Sequence, residues 1–431
     1  MDKNKSDDAY HKISVPPAAE PTGCPVDHVF TPFNSNYLTN PYPELKALMS
    51  EQPIFFSKEL GYLVVTGMEN VNHVLKNHKV FSSENVQDPV FPVCQEAMAV
   101  MSADDYNPKA VMSNCQPPDH TRIRKFTRDG FNARRMKMLE PYIRETADRL
   151  ITQMLENGQS AEVVSSFAHP LPGQVIFRLI GFPANDDDQL IHWTSNRLIF
   201  TWGKPTDEAQ VEIAENMLRY WRYCRAFVAK RYEDPADDLT SELLAAHREN
   251  PESLSYREVE SIIYGLSFAG HEIVSNFIAL ALMTILPDRA HWQSLRNDPG
   301  LIPNALEEIL RFDSPQTSWR RVATQDTTLA GVDIPKGTRI FISLGSANHD
   351  PALFTNPDEY NPSRENVNRH ISFGHGIHFC LGARLARLEA QIALESLAKQ
   401  IPALSLVKNQ TPSFAPNITF RGPTDLYVEW S

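Results

Sequence analysis

Apolar residues recur every three or four positions among charges over residues 139–155 and 207–232, which predicts two helices with one face turned inward. From residue 256 to 286 the pattern lengthens and becomes apolar on nearly every face until Pro287, as in a helix running through the centre of a large domain. A further amphipathic helix is predicted over residues 381–397, with Leu381, Leu385, Leu388 and Ile392 on one stripe. Strand signals are short. Residues 55–65 and 328–344 carry β-branched and aromatic side chains punctuated by Gly331, Pro335 and Gly337, and read as short antiparallel strands with turns. The expected fold class is mainly α with small β-sheets, without internal repeats. Residues 1–30 read as a loose polar tail and 31–431 as one domain.

Composition narrows the function classes. With 431 residues, 42% hydrophobic and 22% charged, the chain can bury a large core, and disorder is excluded. A net charge of -12 argues against general affinity for nucleic acid or anionic membranes. Cys24, Cys94, Cys115, Cys224 and Cys380 are scattered, with no CxxC pair, so a disulfide or zinc framework is not expected and a reducing compartment is. The apolar run over residues 273–286 contains Ser275 and Asn276 and falls short of the roughly 20 residues that span a bilayer, so a soluble, cytoplasmic protein is expected.

The most informative stretch is Ser372-Phe373-Gly374-His375-Gly376-Ile377-His378-Phe379-Cys380-Leu381-Gly382-Ala383, a glycine-rich loop whose cysteine opens a predicted helix. There the helix dipole and free N–H groups favour an anion, so a lowered thiol pKa is expected at Cys380. The glycines let backbone approach a bulky planar partner. Zinc is a weaker reading of His370, His375, His378 and Cys380, because no standard ligand spacing supports it. The glycines do not form GxGxxG.

With Phe373 seven residues before Cys380, the run resembles the cysteine-ligand loop of cytochrome P450 enzymes. The resemblance implies the P450 fold, with haem b between the long central helix and this loop. It also implies iron ligation by the Cys380 thiolate, haem contacts from Phe373 and His378, and dioxygen as co-substrate. A thiolate ligand favours O–O cleavage.

Distant segments agree with it. Glu308 and Arg311, three apart on a predicted helix, and Arg364 match the buried network that supports the haem loop in that family. His120 and Arg124 fall where its propionate-binding helix lies, and Arg321 in the place of a third propionate ligand, a task that suits a planar guanidinium. Ala269-Gly270-His271-Glu272-Ile273 matches the family's oxygen-activating turn except at its end, where Ile273 replaces the usual threonine. Glu272 then fits a proton-relay acid, helped by ordered water, a substrate hydroxyl or His271. The pair His271-Glu272 does not extend to HExxH, since Ser275 stands where the second histidine belongs.

Electrons are expected from NAD(P)H through a separate ferredoxin or flavodoxin and its reductase, because no reductase domain follows Ser431. The basic cluster Arg122, Lys125, Arg128, Arg134, Arg135 and Lys137 is the expected docking face. By positional analogy the pocket includes Phe268, Ala269, Ile273, Thr317, Trp319, Ile418 and Phe420, plus residues from 83–114 and 190–204. The second of these loops holds His192, Trp193, Asn196 and Trp202, a mixture suited to a small hydroxylated substrate. Residues 344–350 with Trp319-Arg320-Arg321 look closer to haem domains of reductase-fused bacterial members, whose stand-alone relatives include O-demethylases. The expectation is oxidative demethylation of a methyl ether such as 6-O-methyl-galactose, against hydroxylation of an aromatic, terpenoid or fatty-acid substrate. A peroxygenase and a haem-dependent sensor are the readings from other classes.

Overall fold

The computed structural model describes Pro21 and residues 24–27, 30–103 and 105–430. Most of the expected tail lies outside the described residues. Val26–Asp27, however, forms a strand parallel to Ile54–Ser57, and Phe30 is buried, so the end of that stretch is part of the fold.

The other helices pack around the predicted central one. Ser255 opens it with a capping box, its hydroxyl accepting the Glu258 N–H while the Glu258 carboxylate takes the Ser255 N–H at 2.7 Å. The single helix expected over residues 256–286 is two segments, Tyr256–Gly270 and Glu272–Ile285, joined at His271 with φ -103° and ψ -83°. Gly270 permits this junction to lie hard against the Pro170–Ile180 helix, because a Cβ there would come within 2.7 Å of Ile176. By length and composition Tyr256–Ile285 is apolar enough to cross a membrane, yet most of it is buried among its neighbours. Ala133–Glu156, Asp207–Glu233 and Ala383–Gln400 take up the three other predicted helices. They share one apolar core with the central pair.

A six-stranded sheet flanks this body, in the order Val26–Asp27, Ile54–Ser57, Tyr62–Val65, Arg339–Ser343, Ser318–Ala323, Phe81–Ser82. Ser318–Ala323 escapes the sequence pattern because its arginines and tryptophan conceal the alternation. In the structure Trp319 pairs with Ile342 and Arg321 with Ile340, and period two sends both side chains to the same face. Arg320 points to the other, where it donates to Val86 O at 2.6 Å and Asp88 O at 2.7 Å.

Behind the cysteine loop, Glu308 and Arg311 on the Ile302–Phe312 helix form a buried bidentate pair at 2.8 Å. The Arg364 Nε reaches both Glu308 oxygens, at 3.0 and 3.1 Å, and the Arg311 Nη1 donates to Asn348 O and Pro357 O. One carboxylate thus satisfies two buried guanidinium groups and ties three loops to one helix. Removing one partner from such a set strands the remaining charge, at a cost of about 3–5 kcal/mol. Glu308→Ala is expected to destabilise the protein by about this amount, as a lower denaturant midpoint or insoluble expression. A midpoint within error of wild type would show that the network is dispensable.

Candidate active site

The cysteine loop is held at both ends. The Ser372 hydroxyl donates to Leu310 O at 2.5 Å and accepts from Asn348 Nδ2 at 2.8 Å, while Asn348 Oδ1 takes the Ile371 N–H. Gly376 has φ +75°, and a Cβ there would lie 2.9 Å from Leu75 O, so the turn admits no other residue without strain. The Cys380 N–H closes the loop on Phe373 O at 2.9 Å, and the Ala383–Gln400 helix begins three residues on. Arg387 from that helix lies over the Phe373 ring, 4.4 Å from its centroid.

Cys380 and Phe373 line a cavity of about 280 Å³ that reaches up to the central helix. The expected lowering of the thiol pKa is not found. Burial pushes it up, against the Gly382 N–H, the charges of Arg124 and Arg387, and the Ala383 N–H. Those four features still favour a thiolate once a cation is its partner.

Arg124, Arg321 and His378 line the same cavity, and His120 sits behind them with its ring 4.4 Å from that of His378. Arg321 is 1% exposed; its Nη1 donates to Arg320 O, its Nε has no partner, and burial lowers its pKa to about 10. Both ring nitrogens of buried His120 lack partners, and burial, with the charges of Arg124 and His78, takes its pKa down to about 4. His378 is pushed down to about 3 by burial and the charges of Arg321, His120 and Arg124, although Met112 O supports its charged form. Its ring meets the Ser83 hydroxyl at 3.1 Å and Met112 O at 3.1 Å. Donors buried without an acceptor cost about 1–3 kcal/mol each, so this wall fits a guest that brings carboxylates.

A family model described as Cytochrome P450 matches residues 53–400. The chain belongs to the cytochrome P450 family. It is 33% identical over 397 residues to a biotin biosynthesis cytochrome P450 of Bacillus subtilis (strain 168), covering 92% of this chain and 97% of that one. The solved structure of cytochrome P450 CREJ in complex with (4-ethylphenyl) dihydrogen phosphate superposes with a TM-score of 0.90 at 37% identity, over 94% of this chain and 100% of that one. An intact type IV self-sufficient cytochrome P450 monooxygenase gives 0.92 at 33% identity, over 96% of this chain and 54% of that one. The protein is therefore a haem monooxygenase that uses dioxygen and electrons from NAD(P)H delivered through redox partners.

On the helix side of this P450 cavity stand Phe268, Ala269, Gly270 and Ile273, facing Trp202, Trp319 and Phe420. From the loop over residues 83–114, Gln87, Val111, Met112 and Ser113 join the lining. Two pocket expectations are corrected. The Thr317 hydroxyl is spent on Ile418 O and Thr419 O, and Ile418 packs into a separate apolar cluster, so neither lines the cavity. His271 is also corrected as a helper of Glu272. Its ring turns away to Thr194 Oγ1 at 3.1 Å and His169 O at 3.0 Å, and burial keeps it neutral. Glu272 points to the start of the Arg197–Trp202 helix, where it accepts the Asn196 N–H at 2.6 Å. Burial pushes its pKa up to about 7, against the Asn196 N–H, the charge of Arg197 and the Leu198 N–H.

Among the lining residues not singled out in the sequence are Gln87, Arg197 and Glu389. Gln87 comes from a loop and Arg197 from the start of the short Arg197–Trp202 helix, neither of which gives a periodic signal. Glu389 comes from the Ala383–Gln400 helix, fully buried, both carboxylate oxygens without partners and its pKa driven well up by burial. Of the basic cluster, Lys125, Arg128, Arg134 and Lys137 are exposed. Arg122 is engaged by Asp119 and Glu258, and Arg135 by Asp237 and Glu242.

Replacing Arg321 by Gln is expected to weaken haem retention roughly ten- to a hundredfold, the loss of a buried charge-assisted pair worth about 1.5–3 kcal/mol. The ratio of haem to protein during dilution or transfer to apomyoglobin reads this directly, and unchanged retention would contradict a carboxylate at Arg321.

Proposed function

We propose that Cys380 ligates the haem iron, that His120, Arg124, Arg321 and His378 hold its propionates, and that Phe373 and His378 pack against it. What carries this reading is one wall that combines a cavity-facing cysteine with buried donors lacking acceptors. The Glu308, Arg311 and Arg364 network fixes the loop behind the cysteine. Bound haem supplies the redox centre at which dioxygen is cleaved. Glu272 carries protons inward: its carboxyl is neutral below about pH 7 and is held by backbone at the helix break. Ile273 brings no hydroxyl to this place, so water or a substrate hydroxyl completes the relay.

The partner is a separate acidic ferredoxin or flavodoxin with its reductase. Its docking face is reduced from the whole basic cluster to Lys125, Arg128, Arg134 and Lys137, because Arg122 and Arg135 already serve acids of the chain. The protein works in the cytoplasm, in soluble form.

The reaction we favour is O-demethylation of a small methyl ether such as 6-O-methyl-galactose. One oxygen atom of O2 enters the methyl C–H bond, the other leaves as water with two electrons from the ferredoxin and two protons, and the hemiacetal collapses to alcohol and formaldehyde. The aromatic face formed by Trp202, Trp319 and Phe420 suits the C–H side of a sugar or an arene.

Reconstitution with ferredoxin, its reductase and NADPH is expected to release formaldehyde from a methyl ether in step with NADPH consumed; hydroxylated product without formaldehyde across a methyl-ether panel would remove demethylation and keep the monooxygenase. Turnover is expected to fall above about pH 7 as Glu272 loses its proton, and Glu272→Gln to be slower and lack that limb. A glutamine variant with the wild-type profile would contradict the relay.

A further inference from the structure

At the end of the cavity beside the central helix, Arg197 and Trp202 come from one short helix, are 2% and 3% exposed, and both face the cavity. The guanidinium lies 4.8 Å from the centre of the Phe268 ring. Its Nη1 donates to Thr201 Oγ1 at 3.3 Å and its Nη2 to Gln87 Oε1 at 3.2 Å, bonds that help aim the fork. Glu272, whose ionised form Arg197 favours, gives an oxygen to the Asn196 N–H. On the same cavity lining, the Trp202 Nε1 is buried without an acceptor among the described residues. The indole itself is fixed by the Trp319 ring, nearly parallel at 5.9 Å, and by the Phe420 edge at 4.9 Å. An aromatic body is thereby offered walls on its flat side, and the lining contributed by this one short helix adds two kinds of N–H donor. A guanidinium fork matches the paired oxygens of an oxyanion far better than a hydroxyl.

We propose that this end of the cavity is an oxyanion subsite: the substrate carries a carboxylate, sulfate or phosphate ester, held by the Arg197 guanidinium and the Trp202 indole N–H. This rests on the haem monooxygenase reading and specifies an anionic substrate class for it, in place of the neutral 6-O-methyl-galactose. The methyl ether or C–H bond to be oxidised then lies at the opposite end of the molecule, so binding the anion sets which carbon meets the haem.

Spectral titration of the purified holoenzyme with 4-methoxybenzoate, 4-methoxyphenyl phosphate and the neutral isostere 4-methoxybenzamide separates the cases. At least one anion is expected to bind tenfold or more tightly than the amide, and the two anions differentiate a planar from a tetrahedral group. Arg197→Gln is expected to erase that preference while leaving amide affinity and haem content in place. Trp202→Phe is expected to weaken the favoured anion severalfold. Equal or tighter binding of the amide overturns the subsite, as does an anion preference that survives Arg197→Gln or the absence of any anion-induced shift at millimolar concentration. Were Arg197 only a counterion to Glu272, its loss would change turnover and coupling alike for charged and neutral ligands and leave the affinity ratio intact. Should the glutamine variant not fold, the wild-type affinity ratio and Arg197→Lys, expected to keep the preference, decide. A protein without a thiolate haem spectrum fails the monooxygenase reading instead.

Discussion

A cluster of positive and donor groups buried without acids among the described residues to meet them is the constraint on which this structure turns. Arg321 and His120 lie inside the protein with nitrogens that find no acceptor, and Arg124 and His378 line the space beside them. Such a cluster is expensive unless an anionic guest is part of the folded state, and two propionates would meet that need. The same logic runs through the Glu308 network, where the chain supplies its own carboxylate, so the scaffold behind the loop is self-sufficient while the wall in front of it lacks one of its own.

The cavity is built by two unlike devices. The loop carrying Cys380 is fixed locally, by its glycines, by hydrogen bonds of the Ser372 and Asn348 side chains, and by the Cys380 N–H on Phe373 O. The opposite wall is assembled from distant segments: the broken central helix, the Arg197–Trp202 helix and the strand bearing Trp319. The first kind of wall suits chemistry that does not vary, the second suits a specificity set by side chains.

This division decides how much could be read from the chain. The cysteine loop, the Glu308 and Arg311 pair and the main helices are encoded by near-neighbour spacing, and that part of the fold and site was legible. The long apolar run predicted a central helix but not its interruption at His271, beside the close approach of Gly270 to Ile176. His271 was misread because its orientation depends on which helix passes behind it, and Thr317 and Ile418 because the Thr317 hydroxyl turns to the carbonyls of Ile418 and Thr419 while Ile418 packs into a separate apolar cluster. Cys380 at a helix start signals a stabilised thiolate, yet burial pushes the thiol pKa up against the nearby N–H groups and arginine charges. Arg197 and Glu389 carry no periodic signature, and only tertiary packing puts them in the cavity.

The most direct measurement on the ligand itself is the absorbance spectrum of the purified, reduced protein under carbon monoxide, for wild type and for Cys380→His. A long-wavelength Soret band in wild type, replaced in the variant by the shorter-wavelength band of imidazole ligation, is expected if the Cys380 thiolate holds the iron. A wild-type spectrum of histidine ligation, or a long-wavelength band that survives the substitution, would contradict Cys380 as the ligand.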